Sequence, residues 1–286
     1  MPANAPAPAP KVVVVGIDGV RYDTLLSVST GAMDRIAAAG FLKTLRVNDA
    51  GITVSGPSWA TIVTGVLTTK HKILNNTFNG HALAEWPDFV SRMRAADSDA
   101  ATLAVAAWPP LSTATAGGPM LVGAESPVDK PPHSAEDWNA ADDEAARRTA
   151  DFVAAVRPDQ QAAAFCYLGL PDAVCHDVGV TGGYRQAIVA SDRRLAAIDD
   201  AITARADARA WTLIVATDHG HIDEGGHGGE SDVERTAWIA ARGPGLPPGV
   251  APAALEQADV AAHALSVLGF HPSSLDLFGT PFHTRV

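Results

Sequence analysis

The sequence predicts an α/β fold, a three-layer sandwich in which a mostly parallel central sheet is flanked by helices on both faces. Three observations lead there. Short apolar runs, Lys11 to Ile17, Ala162 to Leu168 and Thr212 to Thr217, have the near-continuous hydrophobicity of strands buried on both sides. Alanine-rich stretches of helical length alternate with them. Glycines at positions 40 and 269 stand where two of those helices should stop.

Taken in order, the Ala/Pro-rich residues 1–10 predict a disordered tail and residues 11–286 a single domain. After the first strand comes a helix around Ala32 to Ala39, ended by Gly40, then a short strand near Thr44 to Val47. The Gly56-Pro57 turn leads into a helix expected over Ser58 to Val63. Phe89 to Ala96 reads as a helix before the strand Ala101 to Ala106, and Ala140 to Val156 has the length and alanine content of another helix. Thr181 to Arg205 supplies a longer one. Thr212 to Ala216 and Thr236 to Ala241 are the last strands, and Ala258 to Leu268 closes the chain as an amphipathic helix capped by Gly269. Residues 108–133, rich in Pro, Gly, Ser and Thr, predict a loop-rich excursion across the surface or over a pocket.

Composition narrows the function. The balance of 21 basic against 32 acidic residues gives a formal charge of -11, which repels a phosphate backbone and argues against nucleic-acid binding. Two cysteines, Cys166 and Cys175, make neither a disulfide framework nor a thiolate metal site, so both are expected as free thiols. No segment approaches a membrane span, and the first residues lack a charged region followed by a long apolar one; a cytoplasmic location is expected.

The chemistry concentrates at the carboxyl ends of the strand-like runs. Asp18 follows the first, Asp172 and His176 follow the second, and Asp218, His219 and His227 follow the third. Ligands so placed converge on one crevice. Carboxylates and imidazoles are the usual donors for zinc and its neighbours, and six of them give three each to two ions. Zinc is the expected metal, with manganese or iron as alternatives. His221 is the rival of His227. The segment Ser55-Gly56-Pro57-Ser58-Trp59 puts a hydroxyl at a turn ahead of a helix, and Ser55 is the candidate nucleophile. Amides at the helix start can bind phosphate oxygens. Plainer roles exist for the same residues: Ser55 as a cap, Asp172 and His176 as a hydrogen-bonded pair one helical turn apart, His227 as a loop histidine.

Taken together, these segments resemble the alkaline phosphatase superfamily, and within it the type I phosphodiesterase/nucleotide pyrophosphatase group. The resemblance rests on Asp18-Gly19, the nucleophile turn ending at Thr64-Gly65, Pro171-Asp172 with His176, Asp218-His219-Gly220, and His227-Gly228-Gly229. It implies an alkaline phosphatase-like fold in which Asp18, Ser55, Asp218 and His219 surround one zinc ion and Asp172, His176 and His227 hold the other. It also implies a small phosphate ester or nucleotide as substrate, a phosphodiester or pyrophosphate bond as the target, and a phosphoserine intermediate. The group commonly has threonine as nucleophile and asparagine after the turn proline, where this chain has Ser55 and Ser58. A serine nucleophile is shared with monoester-cleaving phosphatases, which makes a phosphomonoesterase the first alternative. A sulfatase has similar spacing but expects arginine where Trp59 stands. Phosphonate hydrolases share the metal centre, and a non-catalytic metal-binding protein is the alternative outside enzymology. Ser58, Trp59 and Asn76 are the expected substrate contacts, with Phe78 as a further aromatic platform; Arg21 and Lys72 are the basic groups available to meet a monoester's extra charge. The oligomeric state is left open.

Overall fold

The computed structural model describes residues 7–47, 52–114 and 117–284. The strands are β1 (Lys11–Ile17), β2 (Phe41–Arg46), β3 (Ala101–Val105), β4 (Ala162–Leu168), β5 (Trp211–Ala216) and β6 (Thr236–Arg242). They form one six-stranded sheet in the order β2-β6-β5-β1-β4-β3. β1 lies at its centre, parallel to β4 on one side and β5 on the other, with Val15 level with both Cys166 and Val215. β3 pairs parallel with β4, whereas β6 runs antiparallel to β5 and to β2. The sheet is therefore mostly parallel, as expected.

The helices preceding β3 are α1 (Tyr22–Leu25), α2 (Gly31–Ala39), α3 (Ser55–Thr64), α4 (Thr68–His71) and α5 (Phe89–Ala96). The later ones are α6 (Pro109–Ser112), α7 (Ala135–Ala155), α8 (Leu170–Val178), α9 (Gly182–Thr203), α10 (Asp232–Arg235) and α11 (Asp259–Val267). Strand alternation divides the core. Val12 and Val14 face a cluster built with Trp59 and Ile62 of α3, Phe89 of α5 and Val260 of α11. Val13 and Val15 face the other, with Ile36 of α2, Ala145 of α7, and Ile188 and Leu195 of α9. Each fully buried valine is worth on the order of 2 kcal/mol relative to exposure. β1 is thus held from both sides, and the backbone at its carboxyl end is a rigid place to mount a ligand.

Several boundaries differ from expectation for local reasons. α3 begins at Ser55 rather than Ser58. Pro57 sits in the first turn, where a missing N–H costs nothing, so the Gly-Pro pair is helical. α7 starts at Ala135 because Ser134 caps it, accepting the Asp137 amide at 3.1 Å, ahead of an acidic first turn. Of the expected disordered tail, residues 1–6 lie outside the described residues. Ala9, however, donates its amide to Pro158 O at 3.0 Å, and buried Lys11 pairs with Asp207 at 3.2 Å, so chain order begins before Pro10. The 108–133 excursion is less open than its composition suggests: Leu111, Met120 and Leu121 are buried in it. Its Glu125 pairs with the end of β3, the Ala106 amide donating to Glu125 O at 3.0 Å. On the opposite edge, Gly249 donates to Gly40 O at 2.7 Å and Lys43 Nζ to Ala253 O at 2.8 Å, laying residues 249–253 along β2. Among the described residues no helix is long and apolar enough to cross a membrane. Both cysteines are free and buried.

Two histidines remote from the strand ends make stability depend on pH. His263 in α11 stacks on Phe282 with ring centroids 4.3 Å apart, and neither ring nitrogen has a hydrogen-bond partner. Burial pushes its pKa down to about 3, aided by His283. Burial likewise takes His71 down to about 4. The folded chain keeps both neutral, whereas the unfolded chain protonates them near 6.5. Their contribution is therefore full above pH 6.5 and is lost as pH falls toward 4 and then 3. With a chelator present, the thermal midpoint of His263→Phe relative to wild type is expected to rise as pH falls through this window, because the variant lacks the group that the unfolded chain protonates; a difference that does not change with pH would contradict the assignment.

Candidate metal centre and nucleophile

The crevice opens where β1, β4 and β5 end side by side. Asp18 is the residue after β1, Asp172 and His176 lie on α8 directly beyond β4, and Asp218 and His219 follow β5. α8 is fixed at its start by buried Asp142 of α7, whose carboxylate accepts the Gly169 and Leu170 amides at 2.9 and 3.0 Å. On α8, Asp172 and His176 share a face, Asp172 Oδ1 lying 3.5 Å from His176 Nε2. The stretch 218–229 is tied down at several points. Arg21 reaches Asp223, the Gly220 amide donates to Glu234 O at 2.9 Å, and Glu234 Oε1 accepts the Gly229 amide at 2.7 Å. Gly225 has φ 95° and lies against the Cys175 carbonyl so closely that a Cβ would clash with it. Thr53, which nothing in the sequence singled out, staples the loop from the other side: its hydroxyl accepts the Gly228 amide and its carbonyl meets His227 Nδ1 at 2.7 Å.

The first half-site gathers around His219 Nε2. Ser55 Oγ is 3.2 Å from it, Asp218 Oδ2 3.2 Å and Asp18 Oδ1 3.7 Å. His219 Nδ1 lies 3.1 Å from Gly220 O, and because a carbonyl only accepts, Nδ1 carries the hydrogen and Nε2 presents a lone pair. Asp218 Oδ1 accepts the Gly19 and His219 amides at 3.1 and 3.0 Å, which leaves Oδ2 to face the centre. In the second half-site, Asp172 Oδ1 lies 3.1 Å from His221 Nε2 and 3.7 Å from His227 Nε2, and the Nε2 atoms of His176 and His227 are 3.0 Å apart. The same carbonyl argument, with Thr53 O as acceptor, gives His227 a bare Nε2.

This is donor chemistry for cations. Asp18 Oδ1, Asp172 Oδ1 and Asp218 Oδ2 are buried with no hydrogen-bond partner, and lone pairs face lone pairs across both half-sites. Such an arrangement is costly unless a positive charge occupies the gaps. The residue sets Asp18, Asp218, His219 and Asp172, His176, His227 each bring their donor atoms within 4.8 Å of one another, as does a third set, Asp172, His219 and His221. Without cations the carboxylates resist ionisation: burial, then the charge of Asp172, pushes Asp18 up to about 7, and burial with Asp18 raises Asp218 further. Burial holds His219 and His227 below the ordinary imidazole range, and so neutral as ligands must be. His221 differs: burial lowers it, but Asp172 and Cys175 more than offset that and take it up to about 10. Asp172 Oδ1 faces both His221 and His227, and each ring has its Nδ1 on a carbonyl, Gly225 O for His221 and Thr53 O for His227.

The structure brings together all seven expected ligand and nucleophile residues, with Ser55 at the amino end of α3. Of the expected substrate contacts, Asn76 stands beside Ser55, its Oδ1 accepting the Gly56 amide at 2.8 Å. Ser58 Oγ is buried in the first turn of α3 without a partner. Trp59 is a correction. It is 0% exposed and has no free face for a substrate; instead its Nε1 donates to Asp18 Oδ2 at 2.9 Å. Phe78 is buried too, at 2% exposure. Arg21 is engaged by Asp23 and Asp223 and has no free charge to offer. Tyr167, which follows Phe165 in an apolar run and reads as core, donates its hydroxyl to Asp18 Oδ2 at 2.6 Å.

A model of the family described as type I phosphodiesterase/nucleotide pyrophosphatase matches residues 12–245. No curated protein matches the sequence. Among solved structures, a putative sulfatase from Bacteroides thetaiotaomicron has a TM-score of 0.73 at 13% identity, over 97% of this chain and 75% of that one. Murine ectonucleotide pyrophosphatase/phosphodiesterase 5, an inactive form in complex with AMP, has a TM-score of 0.65 at 17% identity, over 96% of this chain and 98% of that one. At these identities the likeness is one of fold.

Proposed function

The chain belongs to the type I phosphodiesterase/nucleotide pyrophosphatase family, within the alkaline phosphatase superfamily, and from that premise we propose that it is a two-cation phosphohydrolase acting on a phosphodiester or pyrophosphate bond of a small molecule or nucleotide. The observation that carries this reading is the convergence of Ser55 Oγ, Asp18 Oδ1 and Asp218 Oδ2 on the bare Nε2 of His219, beside the Asp172, His176 and His227 set.

Asp18, Ser55, Asp218 and His219 would hold one ion and Asp172, His176 and His227 the other, with zinc the fitting metal for this nitrogen and oxygen set. When bound, two such ions lower the pKa of a coordinated hydroxyl and neutralise charge on the transferring phosphoryl group. The remaining work belongs to side chains. Ser55 Oγ attacks phosphorus, one alcohol or nucleotide departs, and the phosphoryl group, still carrying its second ester substituent, is left on the Ser55 oxygen of α3. Water then attacks that phosphorus from the side the leaving group vacated, releasing the phosphate monoester and restoring the Ser55 hydroxyl with overall retention at phosphorus. Asn76, its Oδ1 already occupied by the Gly56 amide, has its Nδ2 hydrogens to donate to a phosphate oxygen.

The choice of diester over monoester rests on charge. A monoester brings an additional negative charge, and Arg21, one of the two basic residues expected to meet it, is consumed by Asp23 and Asp223. A sulfatase reading is disfavoured by Trp59, which fills the place of an arginine with a buried indole. The test compares kcat/KM on three esters of one leaving group. Bis-p-nitrophenyl phosphate is expected to exceed p-nitrophenyl phosphate by at least about tenfold, roughly 1.4 kcal/mol of differential transition-state binding, with p-nitrophenyl sulfate lowest. A preference for the monoester would replace this reading with a phosphomonoesterase, and a preference for the sulfate with a sulfatase.

A further inference from the structure

Asp18 is gripped through one oxygen only. Its Oδ2 accepts two hydrogen bonds, from Trp59 Nε1 at 2.9 Å and from the Tyr167 hydroxyl at 2.6 Å, while Oδ1 accepts none and points toward the His219, Ser55 and Asp218 group. We propose that Trp59 and Tyr167 are positioning residues that lock the rotamer of Asp18, so that Oδ1 is presented to the cation shared with Ser55. This rests on the two-cation reading above and extends it to residues that touch neither metal nor substrate.

The geometry of the two donors supports the assignment. They come from different elements, α3 and β4, and approach the same atom, so rotation of the carboxylate about its Cβ–Cγ bond would break both bonds at once. Neither ring can move aside. Trp59 fills the space above Gly16 of β1, where even a Cβ would lie 2.5 Å from the indole, and its edge meets the rings of Phe165 and Tyr167 at 5.9 and 5.6 Å. Tyr167 is packed in turn by Trp108, stacked at 6.4 Å, and by Trp138 at 6.2 Å. The indole comes from the same helix as the nucleophile, one turn beyond it. The hydrogen bond from Trp59 to Asp18 therefore ties the position of α3, and with it Ser55, to the ligand at the end of β1. Outer partners of metal-binding carboxylates act in this way, by fixing which lone pair is available.

A merely structural role makes a different prediction: buried N–H and O–H groups need acceptors, and Asp18 would be a convenient one. Losing the hydroxyl would then cost stability and leave metal affinity alone. The test uses the full chain stripped of metal and titrated with Zn²⁺ against a chromophoric chelator, with the thermal midpoint of the metal-free protein measured in parallel. Tyr167→Phe removes only the hydroxyl, Trp59→Phe removes the other donor, and Phe165→Leu disturbs the same aromatic packing without touching Asp18. Wild type is expected to bind two ions. Tyr167→Phe should weaken one of them by about 10- to 100-fold and leave the other unchanged, Trp59→Phe should weaken the same one, and Phe165→Leu should bind both as wild type does. If Trp59→Phe does not fold, Tyr167→Phe decides alone. Affinities in Tyr167→Phe within twofold of wild type at both sites, or an equal loss at both, overturn the proposal while leaving the two-cation reading in place. A wild-type protein that binds no divalent ion overturns both.

Discussion

Ser55→Ala is expected to lower kcat by at least about 10³-fold, the order that removal of a nucleophile costs in other covalent hydrolases, while the thermal midpoint stays close to that of wild type. The two halves of this expectation have separate origins. The hydroxyl is the only part of the side chain removed, and it makes no cap for α3: the helix has no side-chain cap hydrogen bond, and its first turn is closed by the Ser58 amide donating to Val54 O at 3.2 Å. The structural cost of the truncation is therefore small. The chemical cost is not, because the other oxygens around His219 Nε2 are carboxylates committed as ligands. Rapid acid quench during turnover of a diester should trap the phosphoryl group with its remaining ester substituent on the wild-type chain and nothing on the variant. Turnover by Ser55→Ala within tenfold of wild type would remove Ser55 from the mechanism.

Removal of metal is the second large effect. Dialysis against a strong chelator is expected to abolish turnover and to lower the thermal midpoint by on the order of 10 °C, with both restored by Zn²⁺. An ion that binds only the folded chain, free at a thousandfold excess over its Kd, adds about 4 kcal/mol per site, and in a chain of this size each kcal/mol moves the midpoint by roughly 2 °C or more. The unfolded chain cannot compete, because the ligands come from positions 18, 172 and 218 onward, far apart in sequence. The unpartnered oxygens of Asp18 and Asp218 are one source of the effect: without cations burial raises both carboxylates, so the metal-free fold bears the cost of holding them buried. Full activity and an unchanged midpoint in excess chelator would sink the two-cation reading.

What the sequence displayed, and what it concealed, divides along a physical line. Strands buried on both faces advertise themselves as unbroken apolar runs, and two titratable residues at the end of such a run, as at Asp218 and His219, serve packing poorly, whereas Asp18 by itself reads equally as a turn residue and Asp172 as one of a hydrogen-bonded helical pair with His176. Their convergence followed from parallel strands alone. Side-chain direction was not legible. Trp59 reads as a stacking platform because it lies one helical turn from the nucleophile and on the same face, but its ring is packed against Gly16, Phe165 and Tyr167 and keeps no open surface. Tyr167 alternates with Cys166 and Leu168 in β4 and looks like any other core residue until its hydroxyl is placed. His221 and His227 compete in the sequence for a similar reason, and the carbonyls they meet, Gly225 O and Thr53 O, hold both rings with Nε2 toward Asp172. Thr53 acts by holding backbone across a long separation, which no local pattern records, whereas Glu234 belongs to a local capping box with Ser231.

The borders of the sheet carry a consequence of their own. A parallel α/β layer normally ends in two rows of unsatisfied peptide groups, open to annealing with another molecule. Here Gly249 meets Gly40 just ahead of β2, Lys43 reaches the carbonyl of Ala253, and Glu125 pairs with the end of β3. Each border thus has fewer open peptide groups at these points than its strand alone would leave.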